Sequence, residues 1–504
     1  MFKGIASKNL AVTSFLNIPY AAPPVGSLRF RPPQPPAAIS GVYDATRMGN
    51  SCMQATEPQF FGGANQRNSE DCLNLNVFAP TEAVIAGTLS RLPVVVFIYG
   101  GGFNTGYNNM PVFDGVSLIN AMPATGKAIV VVPNYRTNAF GFLASSELQA
   151  EGSLNAGLLD QAAAFKWVRD NIRRFGGDPA RVTAWGQSAG AISIATHMVS
   201  GNANRQLFDR AILHSGALLP FAATPATQQA GFNALAAVLG CSAATRPVLD
   251  CLRAVPAQTL LGTATRLGIR YLPAVDGKYV TAQPQQLLAQ GQVAKIPTIL
   301  LDNTDEGTLF TATANVTDSA SAAAFERANL PHLGGSGFAA LQRLYPTESS
   351  TPVATASEAY GDAAFRCPER QLARSLTAAG VGVFKGRFNV QRSVFLPGSE
   401  SFLKPLGVFH SAELPYVWSH APQLSIGNGD LAVSRTMISA WADFVSGRTP
   451  ATTAKISWPE FGASQQRLVW QAGGAVAAES LSPDFDSKCD FWDGAAAGFS
   501  KFLA

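Results

Sequence analysis

Charge is scarce in this chain. Only 14% of its 504 residues are Asp, Glu, Lys or Arg, against 47% hydrophobic. That balance excludes an intrinsically disordered protein, which has too little apolar surface to bury, and it supplies material for a large core. The formal net charge is +4 and no basic run concentrates it. The electrostatic footprint of a nucleic-acid binder is therefore missing. Long apolar runs are missing too. None reaches the roughly 18 residues of a membrane span, and the longest, such as 92–99, have the length of buried strands. The N-terminus lacks an apolar leader core, because Phe2-Lys3-Gly4 runs at once into structured sequence. Either the protein is cytosolic or a signal peptide has been removed. There are only five histidines and no C-x-x-C, so neither a metal site nor another cofactor is expected. Cysteine is sparse but even in number. Six cysteines suit disulfides formed in an oxidising compartment and favour the secreted alternative, with the pairing left open.

No internal repeat or long linker divides the sequence. Length alone would suggest several domains, but α/β enzymes often exceed that prior as one unit, and a single domain over 1–504 is expected. Residues 92–99 and 128–132 are continuously apolar and read as strands buried on both faces. A helical pattern over 158–174 ends at Gly176-Gly177-Asp178-Pro179. A strand at 181–185, a helix at 189–199, and strands at 210–213 and 296–302 follow. Such alternation predicts the α/β class, with a mainly parallel sheet covered by helices. The Ala-rich stretches 220–290 and 310–380 read as helical insertions that build substrate walls.

Two glycine-rich segments carry chemistry. Gly186-Gln187-Ser188-Ala189-Gly190 is a G-x-S-x-G sequence. Alone it is weak, since common residues produce it by chance. Its position between strand and helix makes it informative, because a nucleophile elbow must lie there. Glycines permit the tight turn that pushes the hydroxyl out of the sheet, and the helix behind directs its N–H groups at a developing anion. Tyr99-Gly100-Gly101-Gly102-Phe103 follows another buried strand, where consecutive glycines can turn N–H groups into an oxyanion hole.

With these segments stand Phe15-Leu-Asn-Ile-Pro-Tyr-Ala-Ala-Pro-Pro-Val-Gly-Ser-Leu-Arg-Phe30, Glu70-Asp-Cys-Leu-Asn-Leu-Asn-Val77, Asn134-Tyr-Arg, Phe140-Gly-Phe-Leu143 and Phe175-Gly-Gly-Asp-Pro179. As an ordered set they resemble the type-B carboxylesterase/lipase family, the cholinesterase-like α/β-hydrolases, with a leaning toward fungal secreted members. The resemblance implies an α/β-hydrolase fold and ester hydrolysis by Ser188, with Gly101, Gly102 and Ala189 as the oxyanion hole. It implies Glu306, in Asp305-Glu306-Gly307, as the acid, with Asp305 as rival. His410, in Gly407-Val-Phe-His-Ser-Ala-Glu-Leu-Pro-Tyr416, matches the family's histidine loop. The other histidines do not: His197 lies on the helix behind the nucleophile, His214 stands where the family usually has Gln, and His332 and His420 lie in loop-like sequence.

Ser215 and Glu413 resemble residues that support the triad. Gln187, Leu218, Leu219 and Phe221 are candidate pocket residues. The family pattern also implies the disulfides Cys52–Cys72, Cys241–Cys251 and Cys367–Cys489, the last pinning the C-terminal tail. Small-molecule esters, neutral and short to medium in chain, are the expected substrates. A lipase or a specialised esterase such as a feruloyl esterase is the enzymatic alternative. A cholinesterase-like adhesion protein is the non-enzymatic one, disfavoured because Ser188, Glu306 and His410 are all present. Asn315-Val316-Thr317 is a glycosylation sequon, of a kind that chance supplies readily in so long a chain.

Overall fold

The computed structural model describes the chain apart from residues 56–65, 202–206, 220–222, 242–246, 331–332, 347–349, 393–398, 420–427, 452–456 and 503–504. Two compact units are present. The first comprises Met1–Arg210, Ala222–Ala282 and Val445–Arg448, the second Ala211–Phe221, Gln283–Phe444 and Thr449–Ala504.

The first unit is built on strands β1 (Ile5–Ala6), β2 (Val12–Pro19), β3 (Asn74–Pro80), β4 (Leu92–Ile98), β5 (Ile129–Pro133) and β6 (Gly177–Gln187), in the spatial order β6-β4-β5-β3-β2-β1. Strands β6, β4 and β5 are parallel, and the rest join antiparallel. The runs Val94-Val-Val-Phe-Ile98 and Ile129-Val-Val-Val132 are fully buried. β-branched side chains pack well on a pleated surface, and burial on both faces explains their continuity. Helix α1 (Ala156–Asn171) ends through a 3-10 turn at Gly176, whose φ is +87°. The sequence expects the chain to leave regular structure there. Instead Gly177 already pairs with Leu92, and a register shift before Val182 absorbs the Asp178-Pro179 segment. A buried bidentate ion pair from Arg136 to Asp160, at 2.7 and 2.8 Å, ties the Asn134-Tyr-Arg segment to α1. Helix α2 (Ala189–Val199) is buried along its whole length.

The second unit carries β7 (Arg210–His214), β8 (Thr298–Asn303), β9 (Val383–Asn389), β10 (Gln466–Gln471) and β11 (Val476–Ser480) in sequential order, parallel except for β11. Trp441, Trp458 and Trp470 pack within it at centroid distances of 4.8 to 5.5 Å. Such pairs add about 0.5–1.5 kcal/mol each beyond the area they bury. Most of the described residues within 308–378 are helical, as expected, with a π turn at Asp362–Arg366. All three expected disulfides are formed, with Cα–Cα distances of 5.0, 5.4 and 5.0 Å. Cys367–Cys489 fastens the C-terminal helix (Pro483–Phe502). Buried Arg370 reinforces it with bonds to Asp486, Asp490 and Asp493 at 2.7–2.8 Å. No helix among the described residues is long and apolar enough to cross a membrane.

Candidate active site

In the first unit, Gly186 on β6 stands opposite Ile98 on the parallel neighbour β4. Both strands therefore release their following loops at the same sheet edge, the carboxyl end where α/β proteins place ligands. Ser188 follows β6 and caps α2 with φ 55° and ψ −126°. That conformation costs a non-glycine residue about 1–3 kcal/mol and is held only where surroundings dictate it. Here they do. A Cβ on Gly190 would lie 1.9 Å from the carbonyl oxygen of Ile98, and one on Gly100 would lie 2.8 Å from the Ser188 Cβ. Either side chain would force apart the two loops that the serine needs close together. Gly101 and Gly102 have φ of +111° and +59°. Among the described residues, neither of their N–H groups donates to another backbone carbonyl. Ala189 is the first residue of α2, where helical N–H groups have no partner within the helix.

In the second unit, Nδ1 of His410 is 2.6 Å from Oε2 of Glu306, and both side chains are buried. The other oxygen of Glu306 accepts the N–H of Asn303 at 2.7 Å. Phe310 and Phe365 pack against the imidazole at centroid distances of 5.0 and 4.5 Å. Asp305, the alternative acid, has different partners. Its carboxylate accepts the Val408 N–H at 2.7 Å, and its own N–H donates to the Val408 carbonyl at 2.9 Å. It thereby clamps the acid loop to the histidine loop.

Ser215 and Glu413 lie one step away from this pair. The connection is Asn303, which the sequence did not single out. Its side-chain amide donates to Ser215 Oγ at 3.1 Å and to Glu413 Oε2 at 2.8 Å, while its N–H holds Glu306. His214 completes the cluster. Trp441 donates its indole N–H to His214 Nε2 at 3.1 Å, so Nδ1 bears the hydrogen that faces Glu413 at 3.3 Å. Burial opposes ionisation of Glu413, but the bonds from His214 and Asn303 prevail and hold its carboxyl below the ordinary value. His197, as expected for a packed residue, is buried between Tyr279 and Gln161, and burial pushes its pKa down to about 3.

A second missed cluster lies beside the acid loop. Lys385 on β9 donates to Asp302 at 2.6 Å and to Glu369 at 2.9 Å, and all three are fully buried. Lys385 faces both carboxylates, and Arg467 approaches Asp302 at 3.8 Å. Asp302 takes the charge. Its burial is outweighed by Lys385 and Arg467, which lower its pKa. Burial pushes Glu369 up to about 8, with Lys385 pulling the other way and Asp302 adding to the rise. A carboxyl raised on folding binds more protons in the native state, so it stabilises below its unfolded value and loses that contribution as pH rises toward 8. The Glu369→Gln variant should lack this slope. Measured by urea unfolding at pH 5 and pH 8.5, Glu369→Gln should gain stability relative to native protein as pH rises, by on the order of a few kcal/mol. Parallel midpoints would contradict the assignment.

Of the candidate pocket residues, Gln187 and Leu218 are buried and Leu219 is half-buried. Phe221 lies outside the described residues, as do His332 and His420. Asn315 is exposed.

A strained serine at a strand–helix turn, a glycine loop at the same sheet edge, and an imidazole held by a buried carboxylate are the parts of an α/β-hydrolase. Comparison with known proteins gives the family. A sequence model of the carboxylesterase family matches residues 2–492. A secreted lipase 1 of Botryotinia fuckeliana (strain B05.10) is 32% identical over 96% of this chain and 90% of its own length. A para-nitrobenzyl esterase of Bacillus subtilis (strain 168) is 35% identical over 89% of both. The crystal structure of Aspergillus niger EstA superposes with a TM-score of 0.86 at 30% identity, covering 99% of this chain and 97% of that one. The chain belongs to the carboxylesterase family and is a carboxylic ester hydrolase.

Proposed function

We propose that Ser188, His410 and Glu306 form a triad that hydrolyses neutral, short-to-medium carboxylic esters through an acyl-enzyme. The carrying observation is the 2.6 Å contact of His410 Nδ1 with Glu306, which favours the tautomer with its hydrogen on Nδ1 and its lone pair on Nε2. In the proposed cycle His410 takes the Ser188 proton as the serine attacks the ester carbonyl. Glu306 fixes the imidazole tautomer and stabilises the imidazolium. The N–H groups of Gly101, Gly102 and Ala189 hold the oxyanion, each worth roughly 3–4 kcal/mol in the transition state. His410 then protonates the leaving alcohol, and water activated by the same imidazole releases the acid. The two units act as one domain in this reading, supported by a family match over 2–492 and a structural match covering 99% of the chain. Three disulfides and a relative named a secreted lipase support work in an extracellular, oxidising setting.

The preference for soluble esters rests on three features. Gln187, next to the nucleophile, is neutral, and no Trp lies between Cys52 and Cys72. A quaternary ammonium would gain from an acidic neighbour and from cation–π contact. The Cys52–Cys72 loop is also short. Its base is closed by the disulfide and by pairing of Ser51–Cys52 with Asn68–Ser69, and the segment between is rich in Gly, Asn and Gln. Phe60 and Phe61 in that segment lie outside the described residues. The lipase names among the relatives favour the other reading, so the test must separate them. Tributyrin hydrolysis, followed below and above the solubility limit, should saturate smoothly, with negligible cleavage of a choline ester. A sharp rise above the limit would establish the lipase reading, and efficient choline ester cleavage would remove the argument from Gln187.

A further inference from the structure

The glycine loop does not hold its shape alone. After Gly101 the chain folds back, and the N–H groups of Asn104 and Thr105 both donate to the Gly101 carbonyl, at 2.9 and 3.1 Å. The turn ends at Gly106. A Cβ there would lie 2.4 Å from the Tyr99 ring and 2.6 Å from the Gly100 carbonyl, so Gly106 is pressed against the start of its own loop. A side chain from another segment meets Gly106. Gln54, buried, accepts the Gly106 N–H on Oε1 at 2.7 Å and donates from Nε2 to the Gly106 carbonyl at 2.9 Å. The fixed donor and acceptor of Gly106 dictate which way the amide faces. Gln54 thus pairs with Gly106 as a neighbouring strand would.

Gln54 is itself anchored two residues after Cys52. Its Nε2 also donates to the Cys52 carbonyl at 3.1 Å, and its own carbonyl accepts from Asn68 Nδ2 at 2.6 Å. A second bridge runs in parallel. Asn138 gives its N–H to the Phe103 carbonyl at 2.6 Å and its side-chain amide to Met53 at 2.6 Å and Asn104 at 3.2 Å. The Met53-Gln54 segment just after the first disulfide cysteine is therefore tied to the glycine loop twice, directly at Gly106 through Gln54 and, by way of Asn138, at Phe103 and Asn104.

We infer that Gln54 is a positioning residue for the oxyanion hole: its two-bond clamp on Gly106 fixes the loop that aims the Gly101 and Gly102 N–H groups. The inference rests on the proposed role of those groups. Oxyanion donors act only when they meet the developing charge at hydrogen-bond distance, so a small displacement is felt in the transition state more than in substrate binding.

The experiment compares native enzyme with Gln54→Met, which keeps length but removes both bonds, and Gln54→Glu, which keeps the acceptor for the Gly106 N–H and loses the donor. Active serines are titrated with a fluorophosphonate and the label is located by peptide mass. The kcat per titrated serine, KM, and affinity for a boronic acid are then measured. The boronate's tetrahedral serine adduct places an oxygen where the oxyanion would sit. For Gln54→Met, kcat per titrated serine should fall about ten- to a hundredfold while KM moves less than about threefold. Boronate affinity should fall by a similar factor, and Gln54→Glu should lie between. A structural buttress would instead lower thermal stability and leave kcat per serine and boronate affinity unchanged, which would overturn the inference. If Gln54→Met does not accumulate, an unchanged kcat per serine in Gln54→Glu overturns it equally. Native enzyme that hydrolyses esters but carries no label at Ser188 would overturn the functional reading itself, and the positioning role with it.

Discussion

Ser188→Ala should fold normally and lose about five to six orders of magnitude in kcat for a soluble aryl ester. Folding should survive because alanine keeps the Cβ that serine already carries at φ 55°, and the buried helix behind it loses no contact. The chemistry should not survive, because alanine has no hydroxyl to carry the acyl group that the proposed cycle places on Ser188. His410→Ala should fall nearly as far, since members of such a triad act as a unit and their removals are not additive. Ester turnover with near-ultraviolet circular dichroism on the same sample checks both halves. A folded Ser188→Ala protein retaining a tenth of native activity would move the nucleophile elsewhere.

Glu306→Gln should cost about three to four orders of magnitude in kcat, and Asp305→Asn less than about one. The surroundings of the two carboxylates set the contrast. Glu306 faces a donor on each side, the Asn303 N–H at 2.7 Å and His410 Nδ1 at 2.6 Å. A glutamine there has one oxygen and one NH2. Its oxygen is claimed by the Asn303 N–H, which cannot turn away. Its NH2 then faces His410 Nδ1 and drives the ring proton to Nε2, the tautomer that cannot accept from serine. Among the described residues the Asp305 carboxylate accepts one hydrogen bond, from the Val408 N–H at 2.7 Å, and asparagine can satisfy it with its own oxygen. Steady-state kinetics of the two variants side by side decide which carboxylate is the acid. A larger loss for Asp305→Asn would reverse the assignment.

Much of this was legible in the sequence, for a physical reason. Parts that need particular residue types at fixed spacing announce themselves. The strained serine and the close loop approaches demand glycine locally, so the elbow and the Gly100-Gly101-Gly102 run stand out. Strands buried on both faces must be continuous, and β4 and β5 were readable within a residue or two of Leu92–Ile98 and Ile129–Pro133. Glu306 and His410 were reached through the family resemblance, because nothing local tells a histidine on one loop which carboxylate it will meet. The resemblance also carried the disulfide pairings.

What stayed hidden is what tertiary packing alone creates. Asn303 looks like a strand-end residue until the chain brings Ser215, Glu306 and Glu413 to it. Lys385 left no distinctive trace, since its strand also carries Arg387, and its partners at 302 and 369 are distant in sequence. Gln54 gave none. A glutamine after a cysteine reads as loop, and its value lies in a backbone pair with a glycine 52 positions away. The 177–187 strand began earlier than expected because a register shift accommodates a Gly-Asp-Pro segment that ordinarily marks a break.

The central claim is that ester cleavage passes through a covalent acyl group on Ser188. The most direct measurement mixes stoichiometric enzyme with a slowly deacylated p-nitrophenyl ester, records the pre-steady-state release of p-nitrophenol, then quenches in acid and maps the peptides by mass. The account predicts a burst approaching one equivalent per active enzyme and an added acyl mass on the peptide containing Gly186-Gln187-Ser188-Ala189-Gly190, absent from Ser188→Ala. Steady turnover without a burst or adduct, or an adduct on a peptide lacking Ser188, would contradict it.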